Sequence, residues 1–158
     1  MRPVLYVRFR PDWISIRRAG KSQHWEGQAV VSLEERAARV VAIAGEEIAR
    51  PASTVTTIQP FDDGRSVVGN IHVAEILLRH AIKKLAQANG DYPAPIWSRK
   101  PDLILHPIHL SEDGLSSFEI VGLQALGASS GAHRTYVWLG RSLTDQELRS
   151  GGAWRHCI

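Results

Sequence analysis

The sequence predicts an α/β fold in one domain, a mixed five-stranded sheet with flanking helices. Three observations predict it. Val4 to Phe9 and Trp13 to Arg17 are two short runs separated by a single turn, and in the second Ile14 and Ile16 alternate with Ser15 and Arg17. That alternation suits a hairpin in a sheet with one wet face. From Ile71 onward the apolar residues recur at spacings of three and four, the period of a helix with one buried face. Finally, an apolar strand at Leu103, a helical stretch and a strand at Thr135 to Leu139 form a βαβ unit, whose two strands must run parallel.

Between the hairpin and the long helix, Ala29 to Leu33 reads as a third strand and Val40 to Ala44 as a fourth, stopped by Gly45. Glu46 to Arg50 reads as one helical turn before Pro51, and Val55 to Ile58 as an extended segment. Pro60 with Asp62, Asp63 and Gly64 makes a turn. Asn70 caps the long helix, whose inner face is Ile71, Ala74, Leu77, Leu78, Ala81, Ile82 and Leu85. Glu75 precedes Arg79 by four residues, Lys83 and Lys84 fall in the last turn, and Gly90 ends it. Leu103 to Leu105 is a buried strand running toward Ile108. Ser111 caps the second helix, with Glu112 and Asp113 in its first turn and Leu115, Phe118, Val121, Gly122, Ala125 and Leu126 facing inward. Thr144 and Glu147 have capping-box spacing for a short last helix, and the chain from Gly151 reads as a loose tail. The domain is therefore placed at 1–144, with a short helix and tail at 145–158.

Composition narrows the function. The chain has 158 residues, 44% of them hydrophobic and 22% charged, which supports a folded core. Nineteen Lys and Arg against 16 Asp and Glu leave a net charge of +3. That surplus does not make a nucleic-acid binder. Arg2, Arg8, Arg10, Arg17, Arg18 and Lys21 crowd the first hairpin, either as a solvated face or as a docking surface for something acidic. A single cysteine, Cys157, excludes an internal disulfide and fits a reducing cytosol. No apolar run reaches the length that spans a bilayer, so a cytoplasmic location is expected.

Several segments resemble the bacterial actin MreB. Ala29-Val30-Val31-Ser32, followed by Val40-Val41-Ala42-Ile43-Ala44-Gly45, is similar to the family's "PSVVA" and "VAAVG" strands. Thr57-Ile58-Gln59-Pro60-Phe61-Asp62-Asp63-Gly64 is similar to its "AIRPMKDG", and Leu77 to Lys84 to its "MLQHFIKQ". Leu103 to Ile108 corresponds to "VLVCVPV", and the stretch from Gly131 to Leu139 to "GAREVFLIE". The likeness runs over roughly residues 4–144 and is most specific from Val55 to Leu85. It implies an actin-like, ribonuclease H-like subdomain, the one called IA.

The departures carry the functional expectation. In an actin-like ATPase the first hairpin turn reads Asp-Leu-Gly-Thr and presents backbone N–H groups to phosphate. Here it reads Phe9-Arg10-Pro11-Asp12-Trp13, without glycine and with a proline that has no N–H to give. The opposing lobe, which supplies the rest of a nucleotide cleft, is not expected within this sequence. No G-x-x-x-x-G-K-[ST] or G-x-G-x-x-G replaces it. The resemblance therefore implies a chain with no catalytic residues and no bound cofactor.

Other constellations point the same way. His106 and His109, with Glu112 and Asp113 close by, have zinc-ligand chemistry. Pro107 holds that pair extended, so a strand end and a helix start explain them better, and no metal is expected. Cys157 beside His156 in a tail makes a poor nucleophile. What remains is a protein-binding surface. Trp13 and Trp25, together with the loop residues Tyr92, Ile96, Trp97 and Arg99, are the candidate interface. Ile96 and Trp97 beside Arg99 and Lys100 also suit a membrane headgroup boundary, as the equivalent loop does in MreB. The expected partner is another protein: a cytoskeletal filament by resemblance, or a toxin domain if the chain is a dedicated inhibitor that caps a bacterial toxin's active site.

Overall fold

The computed structural model describes residues 2–61, 66–90, 99–108 and 114–157. Nine strands and three helices are assigned among them. The first sheet takes β1 (Val4–Arg10), β2 (Trp13–Arg18), β3 (His24–Gln28), β8 (Asp102–Pro107) and β9 (Arg134–Val137). Its order is β3-β2-β1-β8-β9. β1, β2 and β3 run antiparallel, whereas β8 lies parallel to both β1 and β9. The expected mixed five-stranded sheet is thus present.

A second sheet was not expected. β4 (Val31–Glu34), β5 (Arg39–Ile43), β6 (Glu46–Glu47) and β7 (Val55–Ile58) form it, in the order β6-β5-β4-β7. Two expectations are corrected here. The helical turn at Glu46 to Arg50 is instead β6, because Ala44 and Gly45 both take positive φ (53° and 79°) and fold β6 back on β5. The strand at Ala29 to Leu33 starts later, at Val31. Ahead of it β3 uses a polar stretch in which Trp25 and Gly27 alternate with exposed His24, Glu26 and Gln28.

The main core lies on the sheet face formed by Leu5, Val7 and Phe9, with Ile14, Ile16, Leu103 and Leu105. Helix α1 (Ile71–Ala88) covers it with Val73, Ala74, Leu77, Leu78, Ala81 and Leu85. Asn70 caps it as expected, its side-chain oxygen accepting from Val73 N at 3.1 Å. Lys83 and Lys84 sit before the last turn rather than in it; Lys84 reaches across to Glu46 instead, at 2.8 Å.

Helix α2 (Ser117–Ser129) begins after the expected start, and the expected cap Ser111 lies outside the described residues. Ser116 is the cap, in a reciprocal box with Glu119. The carboxylate of Glu119 accepts from Ser116 N at 2.8 Å and from Val67 N at 3.1 Å, so one side chain ties the helix start to the segment before α1. With this start the inward residues are Leu123, Leu126 and Gly127. Phe118 and Val121, expected inside, are 87% and 60% exposed. Gly127 lets α2 approach β9: a Cβ there would meet Thr135 Cβ at 2.8 Å.

The opposite face of the sheet carries a smaller core of Val4, Tyr6, Ile104, Leu143, Leu148 and Trp154. Helix α3 (Asp145–Ser150) starts at the expected Thr144–Glu147 capping box. The chain beyond it is not a loose tail. Trp154 is fully buried, lies edge-on to Tyr136 at 4.9 Å, and donates Nε1–H to the Leu148 carbonyl at 3.2 Å. Indole area that large, left in water, favours packing by kilocalories per mole.

Candidate functional site

The β1–β2 hairpin is the feature that the sequence singled out. Arg10 pairs directly with Trp13, so Pro11 and Asp12 alone make the turn. Pro11 brings no N–H. The Asp12 carbonyl accepts from Ala29 N at 3.2 Å, and the Phe9 carbonyl accepts from Ile108 N at 3.0 Å. The backbone around the turn is thus tied to its neighbours. Phe9 is buried and stacks on Phe61, ring centroids 4.3 Å apart, which anchors the base of the hairpin.

Alternation along β1 places Arg8 and Arg10 on the same face as Trp13. Their guanidinium carbons lie 5.4 Å and 5.1 Å from the indole centroid. These are cation–π distances, and they hold the two cations on the ring. Arg10 also reaches Asp12 at 3.7 Å, an exposed pair of little energetic weight. Trp13 is half-buried with both guanidinium groups within cation–π distance of its ring.

Of the other expected interface residues, the two that the structure describes, Trp25 and Arg99, are not gathered around it. Trp25 is half-buried and turned onto the chain itself, edge-on to His80 of α1 at 5.7 Å and against the Gly27 backbone. Arg99 is exposed just before β8. Since β8 runs parallel to β1, with Asp102 beside Val4, Arg99 lies at the opposite end of the sheet from Trp13. Tyr92, Ile96 and Trp97 lie outside the described residues, and so does the membrane contact expected of them.

The histidines resolve differently. His106 is buried, with Nδ1 2.6 Å from the Tyr6 hydroxyl. That oxygen already accepts from Leu143 N at 3.1 Å, so its proton goes to His106 and the ring proton sits on Nε2. Burial pushes the His106 pKa down and the Tyr6 pKa up. The pair is a neutral structural link between β1, β8 and the chain before α3. His109, Glu112 and Asp113 lie outside the described residues; among those described, no three side chains of metal-ligand type come together. Cys157 is half-buried, its thiol 3.8 Å from the Ala153 carbonyl.

Sequence reasoning missed a second surface. Phe118 and Val121 stand three apart on α2 and face solvent. Near them Ile120, Val137, Trp138, Leu139 and Cys157 line a largely apolar cavity of about 350 Å³. The only signal in the sequence was the Ser116–Glu119 spacing, which sets the helix start and hence which face is outward.

No protein-family model matches the sequence, and no curated protein matches it. Solved structures do. The crystal structure of MreB5 of Spiroplasma citri bound to ADP matches with a TM-score of 0.65 at 12% identity, over 88% of this chain and 38% of that one. The same protein bound to AMPPNP gives 0.66 at 14% identity. A non-polymerising MamK mutant bound to AMPPNP gives 0.58 at 16% identity, over 86% of this chain and 40% of that one. The chain spans about two fifths of the length of the structures it matches. Among the described residues no helix is long and apolar enough to cross a membrane. The mixed sheet, its flanking helices and these neighbours together give this chain an MreB-like, actin-like fold.

Proposed function

We infer that the chain is a non-enzymatic protein-binding module on an actin-like scaffold, acting in the cytoplasm. The observation that carries this reading is the β1–β2 turn. An actin-like ATPase needs several converging N–H donors there. This turn has a proline, a two-residue loop, and a tryptophan with two guanidinium groups within cation–π distance of its ring. What the chain offers instead is contact surface. Phe118 and Val121 are exposed beside an apolar cavity, the anatomy of an anchor region in a protein interface. By resemblance the partner is a cell-shape filament.

The test is cosedimentation with purified MreB filaments. The chain is expected to pellet with the filaments, and a Phe118→Ser, Val121→Ser double variant to remain in the supernatant while keeping its unfolding temperature. A wild-type chain that never pellets removes the filament as partner. A tight one-to-one complex with a toxin domain, blocking that toxin's activity, would replace this reading with the inhibitor one.

A further inference from the structure

We propose that the uncovered half of the outer sheet face binds a small phosphorylated anion through Arg8, Arg17 and Lys21. The segment from Leu143 to Trp154 packs its apolar side chains on that face over β1, β8 and β9 and reaches the β2 side only at the end of that strand, beside Ala19 and Gly20. Over β2 and its turn into β3 a cavity of about 580 Å³ stays open, within the range of small-molecule sites. Arg8, Ser15, Arg17, Lys21 and His24 line it.

Two of the cations are already fixed in place. Arg17 lies over the Tyr6 ring at 5.3 Å and donates to the Leu143 carbonyl. Arg8 lies over Trp13 and places Nη1 3.4 Å from Ser142 Oγ. Neither they nor Lys21 has a carboxylate at ion-pair distance among the described residues. The one carboxylate in the wall, Asp145, accepts from Gly20 N at 2.8 Å and pairs with Arg149 at 2.9 Å, so its charge is answered elsewhere. Guanidinium groups held in advance lose little freedom on binding, and their planar forks match phosphoryl oxygens. Three cations around one small volume favour a group that concentrates its charge, as a phosphomonoester does with about two negative charges, over carboxylates spread along a chain.

This cavity is not the nucleotide position of an actin-like turn. It centres on the β2–β3 connection at Gly20 to Ser22, whereas Pro11 and Asp12 lie at the other end of β2.

The experiment is calorimetric titration of the purified chain with inorganic pyrophosphate at low salt, with sodium sulfate and succinate as comparison ligands. One-to-one binding of pyrophosphate is expected, tighter than about 1 mM. Arg17→Gln and Lys21→Glu should each weaken it about 10- to 100-fold, the loss of one charge-assisted contact. Lys21 is exposed, so that variant keeps the fold, as an unchanged unfolding temperature without ligand will show. No heat from the wild type, wild-type affinity in both variants, or sulfate or succinate binding as tightly as pyrophosphate would overturn the assignment.

Discussion

Replacing Trp154 with alanine removes the largest fully buried side chain among the described residues. The ring closes the outer core against Tyr136, Leu143 and Leu148, and its N–H is bonded to the Leu148 carbonyl. Truncating a buried Trp costs about 3–5 kcal/mol, which includes the cavity left behind. A domain of this size has about 5–15 kcal/mol in hand. The variant should therefore lose about a fifth or more of its stability, with an unfolding temperature lower by about 6–20 °C. Urea unfolding followed by circular dichroism measures this directly, and the midpoint should fall with the slope unchanged. Trp154→Phe should lose much less, because most of the area stays filled. A change below about 0.5 kcal/mol in Trp154→Ala, the range of surface substitutions, would mean that the C-terminal segment does not pack on the sheet.

Three further outcomes follow from the packing. Gly127→Ala should destabilise by about 1–3 kcal/mol despite the better helix propensity of alanine, because Thr135 Cβ is too close to move aside; Thr135→Ala in the same chain should recover only part of it in thermal unfolding. Tyr6→Phe leaves the Leu143 N–H and His106 Nδ1 without their partner in a buried site, at about 1–3 kcal/mol by urea titration. The Arg141 guanidinium, with the Thr144 N–H, holds the Glu147 carboxyl at about 2, below its ordinary 4.5. Because that folded-state value is depressed, its stabilisation is complete above pH 4.5 and is lost as the pH falls toward 2. Stability measured across that window should fall less steeply for Glu147→Gln than for the wild type.

Local pattern made the hairpin, the long helix and the last capping box legible, since each is set by neighbours in sequence. The Ile14–Ile16 alternation, the Asn70 cap and the Thr144–Glu147 spacing all act within a few residues. Elements settled by distant contacts were not legible. Ser111 and Ser116 are both good caps by type; Ser116 prevails because Glu119 also accepts from Val67, 52 residues away. That shift moves Phe118 and Val121 from the core to the surface. β3 is a polar edge strand whose buried side is one Trp packed on His80, so its apolar content gave no signal. Trp154 lies in a polar tail, and its burial depends on a sheet face that no local pattern marks as vacant. At the hairpin the Arg8–Trp13–Arg10 cluster could be read from strand alternation, whereas the hold on Arg17 by Tyr6 and Leu143 joins parts of the chain 126 residues apart.

The central claim is that the first turn cannot cradle phosphoryl groups. Calorimetric titration with magnesium and ATP tests it, run on Lys21→Glu so that the outer-face cavity does not answer in place of the turn. No saturable binding is predicted up to about 1 mM ATP, and no release of phosphate. Micromolar uptake that requires magnesium and survives this substitution would contradict the account.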